Sequence, residues 1–81
     1  IKVGADSVDR DRRRVEAALA IAGSGAALAV DGNGSPDRAI TFARLEALAS
    51  YKLAWFEEPC PVLDYAMMAE LSTADLMPLA T

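Results

Sequence analysis

The stretch Ala26-Ala27-Leu28-Ala29-Val30-Asp31-Gly32-Asn33-Gly34 runs from small apolar residues straight into an acid and a turn. An apolar run of this length, Ala26 to Val30, has no polar face. That is the pattern of a strand buried on both sides of a parallel sheet. Gly32-Asn33-Gly34 then turns the chain, because glycine and asparagine tolerate left-handed backbone that other residues resist. Downstream, Ser35 predicts a helix cap with Pro36 at the first helical position, and Ala39, Phe42, Ala43, Leu45, Leu48 and Ala49 form the apolar side of that helix. Leu53-Ala54-Trp55-Phe56 repeats the strand pattern and ends in Glu57-Glu58-Pro59. After a Cys60-Pro61 turn, Asp64 opens a third helical stretch with Tyr65, Met68, Ala69 and Leu71 facing inward, and Met77 to Thr81 begins another strand.

Upstream, Ile1-Lys2-Val3 reads as the end of a strand, with Gly4 as its turn residue. Ser7 caps the helix that follows, Asp9 and Asp11 lie near its positive end, and Val15, Ala18, Leu19 and Ala22 recur at the spacing of one apolar face. Gly23 and Gly25 stop it. The resulting order is β-α-β-α-β-α-β. Alternation of this kind implies parallel strands joined by crossover helices, in either an α/β barrel or an open doubly wound sheet. With 81 residues the chain holds at most one domain with a small core, so a complete barrel is out of reach. There is no initiator methionine and the chain starts inside a strand-like run, which predicts that both ends lie within a longer polypeptide.

Composition narrows the function classes. Hydrophobic residues make up 53% and charged residues 25%, the balance of a folded chain and not of a disordered tail. Alanine dominates the apolar set and aromatics are only 6%, so the helices are expected to pack closely through small side chains. Arg10, Arg12, Arg13 and Arg14 cluster, but Asp6, Asp9 and Asp11 interleave with them and the net charge is −4. A phosphate-tracking surface needs an uncompensated basic stripe, so nucleic acid is excluded as a partner and the cluster reads as a solvated helix face. No stretch approaches the ~20 apolar residues that span a bilayer, so no membrane association is expected. Cys60 is the only cysteine, which rules out an internal disulfide and points to a reducing, cytoplasmic setting.

Lys2, Asp31 and Glu57 each stand at the end of a predicted strand, one per strand-helix unit. The carboxyl ends of parallel strands form the rim where α/β folds bind ligands, so these three side chains converge on one mouth. Strands ~4.8 Å apart let neighbouring carboxylates reach one cation, and Asp31 and Glu57 are oxygen donors of the kind Mg²⁺ prefers. Lys2, two strands from Glu57, leaves room for a small metal-held substrate whose carbon-bound proton the amine could take. One more unit of the same length beyond Glu57 ends just past Thr81, where a third acidic ligand is expected. Taken singly, each residue has a plainer reading: Lys2 as an exposed lysine, Asp31 as a turn former, Glu57-Glu58-Pro59 as a solvated loop start. Trp55, Met67 and Met68 read as packing residues. Cys60 lacks any histidine in the chain to activate it as a nucleophile.

Taken together, the three strand ends resemble the barrel domain of the enolase superfamily, mandelate racemase and muconate lactonizing enzyme branch. Lys2-Val3-Gly4 is similar to the end of the family's Lys-x-Lys motif, Val30-Asp31-Gly32-Asn33 to its Val-Asp-Ala-Asn, and Trp55-Phe56-Glu57-Glu58-Pro59 to its Trp-Phe-Glu-Glu-Pro. The resemblance implies that residues 1–81 are a partial barrel domain, about strands 2 to 5 of a TIM-like (β/α)7β barrel, without the N-terminal capping domain or the later strands. It implies Asp31 and Glu57 as Mg²⁺ ligands, Lys2 as the acid/base, Asn33 near the substrate hydroxyl and Glu58 as a supporting residue. The chemistry implied is abstraction of the proton next to a carboxylate, with Mg²⁺ stabilising an enediolate. Leu63-Asp64-Tyr65-Ala66 and Pro78-Leu79-Ala80-Thr81 resemble the tartrate dehydratase-like group, so the expected activity is that of a hydro-lyase on an acid sugar, a small hydroxy-acid carboxylate, in a homo-oligomeric parent enzyme. The isolated segment is expected to be inactive, since metal cage and barrel are both incomplete. The alternatives are a racemase, epimerase or cycloisomerase of the same superfamily, or a non-catalytic α/β binding module with Asp31 and Glu57 as surface acids.

Overall fold

A computed structural model describes residues 1–81. Helix α1 spans Val8–Ala22, strand β1 Ala29–Asp31, helix α2 Arg38–Ala49, strand β2 Trp55–Glu57, helix α3 Tyr65–Ala74 and strand β3 Leu79–Ala80. The strands form one sheet in the order β1-β2-β3, and both pairings are parallel. Lys2 makes a further parallel bridge to Asp31, so the chain's first residues extend the sheet on the other side of β1. The α/β alternation expected from the sequence is present, with β1 and β2 each followed by a helix, while the first expected strand, Ile1-Lys2-Val3, is reduced to the single bridge at Lys2. No helix is long and apolar enough to cross a membrane.

The helix starts follow from their caps. Ser7 Oγ accepts the Arg10 N–H at 3.2 Å, and Gly23, at φ 82, ends α1 in the left-handed region. For α2 the cap is Asp37, whose carboxylate accepts the Ile40 N–H at 2.9 Å, and not Ser35 as the sequence suggests. Aspartate caps as well as serine and adds negative charge at the helix's positive end, which leaves Ser35 and Pro36 in the approach to the helix. Asp64 caps α3 as expected, accepting the Met67 N–H at 3.0 Å. The strand expected over Ala26 to Val30 starts only at Ala29, because Gly25–Ala27 form a 3₁₀ turn in which Ser24 Oγ accepts the Ala26 N–H at 3.2 Å. A side-chain acceptor beside the chain competes with strand pairing, and an apolar run does not reveal that competition.

Val3, Val15, Val30, Leu45, Leu48, Leu53, Phe56, Cys60, Met67 and Leu71 make up the core. Two helix faces sit differently from their expected phase. On α2, Leu45 and Leu48 are buried as expected, but Ala39 and Ala43 are exposed, and Thr41 and Arg44 take their place inside. On α3, Met67 and Leu71 face inward while Tyr65 is 74% exposed and Ala69 faces out. Met67 and Leu71 are one helical step of four apart, whereas Tyr65 lies about 200° round the helix from Met67. The bulk of Tyr65 and the alanines does not decide the face. Packing of Met67 and Leu71 into the core sets the phase.

Candidate active site

Alternation along each strand sorts the side chains. Val30 and Phe56 are paired in register and 1% exposed, so this face of the sheet packs on the helices. The next residue on each strand points the other way. Asp31 and Glu57 are register partners, and Lys2 is bridged to Asp31 from the opposite side, so all three side chains leave the same face at one level of the sheet. Lys2 therefore stands two strands from Glu57, about 10 Å at the usual strand spacing.

Three of the residues singled out in the sequence touch. Lys2 Nζ donates to Asp31 Oδ2 at 3.2 Å and to Asn33 Oδ1 at 3.0 Å. The other Asp31 oxygen, Oδ1, accepts the Asn33 N–H at 2.9 Å, a contact made available by the left-handed backbone of Asn33 at φ 55. The Asn33 amide, first, and the Lys2 ammonium, second, hold the Asp31 carboxyl below its ordinary range. Asp31 stays ionised as a result, the state in which it can accept from an amine or bind a cation. Asn33, expected near a substrate hydroxyl, here fixes both Asp31 and Lys2.

Glu57 shares the row but not the cluster. It is exposed, and its side chain enters no ion pair, while its carbonyl accepts the Gly32 N–H at 2.8 Å. Glu58 contributes through its backbone: at φ 47 it turns the chain, donates its N–H to the Ala80 carbonyl at 2.9 Å and accepts the Gly34 N–H at 2.8 Å. These bonds lace the turns after β1 and β2 to each other and to β3 at the rim. Close approach there also explains Gly32, where a Cβ would lie 2.6 Å from the Phe56 ring.

Asp31 and Glu57 fit a hard divalent cation in donor type, and their place on adjacent strands in register suits two ligands of one ion. No group of three or more His, Cys, Asp or Glu side chains that could hold a metal ion is gathered anywhere in the chain. What the arrangement can do is keep an amine, a charged carboxylate and a second acid on one exposed face, above a core that holds the strands rigid.

The family described as Enolase C-terminal domain-like matches residues 1–81, the whole chain. The chain belongs to that family. Among solved structures, a muconate lactonizing enzyme from Klebsiella pneumoniae superposes with a TM-score of 0.82 at 26% identity, covering 98% of this chain and 23% of the other. A mandelate racemase/muconate lactonizing enzyme from a marine actinobacterium, in complex with magnesium, gives a TM-score of 0.80 at 26% identity over 98% of this chain and 22% of its own. A further mandelate racemase/muconate lactonizing enzyme gives 0.79 at 27% identity, again over 98% of this chain and 22% of its own. The chain thus spans less than a quarter of the length of these neighbours. With the parallel sheet and three helices, the match makes the fold that of an enolase C-terminal, TIM-barrel-like segment. The expected enolase superfamily relationship therefore holds, and its relatives are enzymes.

Two residues escaped the sequence reading. Asp11, expected on a solvated face, is fully buried, and Arg44 of α2 is 2% exposed. Arg44 Nε donates to Asp11 Oδ2 at 2.7 Å. The signal was available in α2, where Arg44 sits between Thr41 and Leu48 at helical spacing, since an arginine in a buried register must find an acid. Arg10, Arg12, Arg13 and Arg14 are exposed, and their ion pairs with Asp6, Asp9 and Glu16 run along the surface of α1, with Arg14 Nη1 also 3.9 Å from Asp11 Oδ1.

Proposed function

We propose that this segment carries the acid/base lysine and two metal ligands of an acid-sugar dehydratase. The observation that supports this most directly is Lys2 Nζ lying 3.2 Å from Asp31 on the sheet face that Glu57 shares. In its neutral amine form Lys2 removes the proton from the carbon next to the substrate carboxylate and becomes the ammonium, the bonding pair moves toward that carboxylate, and the β-hydroxyl leaves as water after taking up a proton from a second acid outside these residues. Asn33 keeps the amine aimed, through its side-chain oxygen. Asp31 and Glu57 would hold a Mg²⁺ ion, which when bound supplies Lewis-acid polarisation of the substrate carboxylate. Dehydration is favoured over its relatives by Leu63-Asp64-Tyr65-Ala66 and Pro78-Leu79-Ala80-Thr81, the stretches similar to the tartrate dehydratase-like group. The substrate is accordingly a small hydroxy-acid, and the full-length enzyme a cytoplasmic homo-oligomer.

In that full-length enzyme, Lys2→Ala should lower turnover by about 10²–10⁴-fold while Mg²⁺ binding, read by calorimetry, persists. Solvent-deuterium exchange at the substrate α-carbon reports the proton step directly. Exchange retained in Lys2→Ala would remove Lys2 from the chemistry. A second reading, racemisation or cycloisomerisation, draws support from the neighbour named a muconate lactonizing enzyme. Product analysis separates the two: a keto-acid lacking one water supports dehydration, and an inverted or cyclised isomer supports the rival.

A further inference from the structure

We infer that Asp11 and Arg44 are a positioning pair for Lys2, holding the turn that follows it through the Gly4 amide; this rests on the acid/base role proposed for Lys2. The Asp11 carboxylate is fully buried and accepts the Gly4 N–H with both oxygens, at 3.3 and 3.1 Å. Its Oδ2 also accepts Arg44 Nε at 2.7 Å, and a second Arg44 nitrogen donates to the Asp6 carbonyl at 3.4 Å. One buried pair, with one side chain from α1 and one from α2, therefore grips two backbone points of the turn leading out of Lys2. On its other flank that turn touches the site. Gly4 runs at φ +92, so close to Gly32 that a Cβ would meet the Gly32 carbonyl oxygen at 2.7 Å, and Gly32 lies between Asp31 and Asn33, the two acceptors of the Lys2 amine.

Stability is a poor reason for such a pair. Two buried charges seldom outperform apolar side chains of the same volume, because desolvation offsets their attraction. A carboxylate can do what an apolar residue cannot, which is to hold one backbone N–H in a fixed direction. Every buried side-chain nitrogen and oxygen in the chain has a partner, so the pair leaves no buried polar atom unmatched. Misplacement of a reacting group by about 1 Å lowers a rate by about 10²-fold, so a clamp two residues from the amine acts on kcat without touching substrate.

The test uses the full-length enzyme and compares Asp11→Leu/Arg44→Met, Asp11→Asn and Leu71→Ala. In the apolar double variant Tm should fall no further than in Leu71→Ala, since removal of two buried charges offsets the Gly4 N–H left without its acceptor. Its kcat and α-proton exchange should fall by about 10–100-fold, with KM and the Mg²⁺ dissociation constant within about two-fold. Asp11→Asn keeps an acceptor for the Gly4 amide and should recover part of the lost kcat, which also serves if the double variant does not fold. Leu71→Ala, in the core away from the turn, should lower Tm yet leave kcat near wild type at a temperature well below its transition. Wild-type kcat in the apolar double variant, or an equal kcat loss in Leu71→Ala at the same temperature, would overturn the positioning role. If Lys2→Ala retains exchange, the acid/base assignment fails with it; if Lys2→Ala is inactive and the apolar pair is not impaired, only the positioning role fails.

Discussion

The two faces of the parallel sheet are built from alternate residues of the same strands, and they do opposite things. Val30 and Phe56 are 1% exposed beneath the helices, while Trp55, one residue from Phe56, is 47% exposed and Glu57 is exposed beside it. On the covered face identity is set by volume and apolarity. On the open face it is set by charge and by which strand end a residue occupies. In a parallel sheet, moving a substitution by one position should therefore change which property suffers, stability or chemistry.

The largest effect that can break this contrast is expected at Phe56, the largest of the fully buried side chains. Phe56→Ala should destabilise by about 3–5 kcal/mol, through lost transfer energy and the cavity left behind. Equilibrium urea unfolding checks it, and a loss under about 1 kcal/mol would show that this face is not the core. Gly4→Ala comes next, because Gly4 combines positive φ with close approach to the Gly32 carbonyl. Forcing a side chain there should cost about 1–3 kcal/mol and, unlike Phe56→Ala, should also disturb the Lys2 end of the site. A variant that loses stability but keeps the Lys2 to Asn33 contact would place Gly4 with the covered face alone.

A smaller effect is expected on the open face from pH. Asp31 is held below its ordinary value of 3.8, first by the Asn33 amide and second by Lys2. A carboxyl with a lowered folded-state value binds its proton more weakly when folded than unfolded. Its contribution is fully present above 3.8 and is lost as pH falls through the lowered value. Carboxyl titration by NMR should give Asp31 a midpoint below 3.8, moving part of the way up toward that value in Lys2→Ala, which removes the second cause and leaves the backbone N–H of Asn33 in place. A midpoint at or above 3.8 would mean that the cluster at the rim does not persist in solution.

The same contrast explains what the sequence disclosed. Periodic signals, such as the apolar run ending at Val30 and Leu53 to Phe56 followed by Glu57, located strands and rim together, because a strand end is both a change of pattern and a place in the fold. The common facing of Lys2, Asp31 and Glu57 follows from that spacing. The phases of α2 and α3 were less legible, since alanine fits inside and outside equally and packing of Leu45, Leu48, Met67 and Leu71 into the core settles the rotation. Asp11 and Arg44 were hidden for a different reason. Each looks like a surface charge on its own helix, and only contact between α1 and α2 brings them together over Gly4.

The sharpest form of the comparison is a substitution expected to do almost nothing to stability. Glu57 follows Phe56 on β2, is exposed, and its side chain enters no ion pair. It sits directly across from Asp31 in the parallel ladder, a relation in which two like charges do not favour pairing. Glu57→Gln keeps the shape and removes the charge, so unfolding free energy should stay within about 0.5 kcal/mol of wild type, with any change toward greater stability. In the full-length enzyme the same variant should weaken Mg²⁺ binding by more than about tenfold, measured by calorimetry, because a neutral amide replaces one of two anionic donors. A destabilisation of about 2 kcal/mol would assign Glu57 to the packing of the fold, and the division between the two faces would not hold on β2. Unchanged metal affinity with unchanged stability would leave Glu57 outside both roles, and Asp31 as the only carboxylate of this chain on the cation.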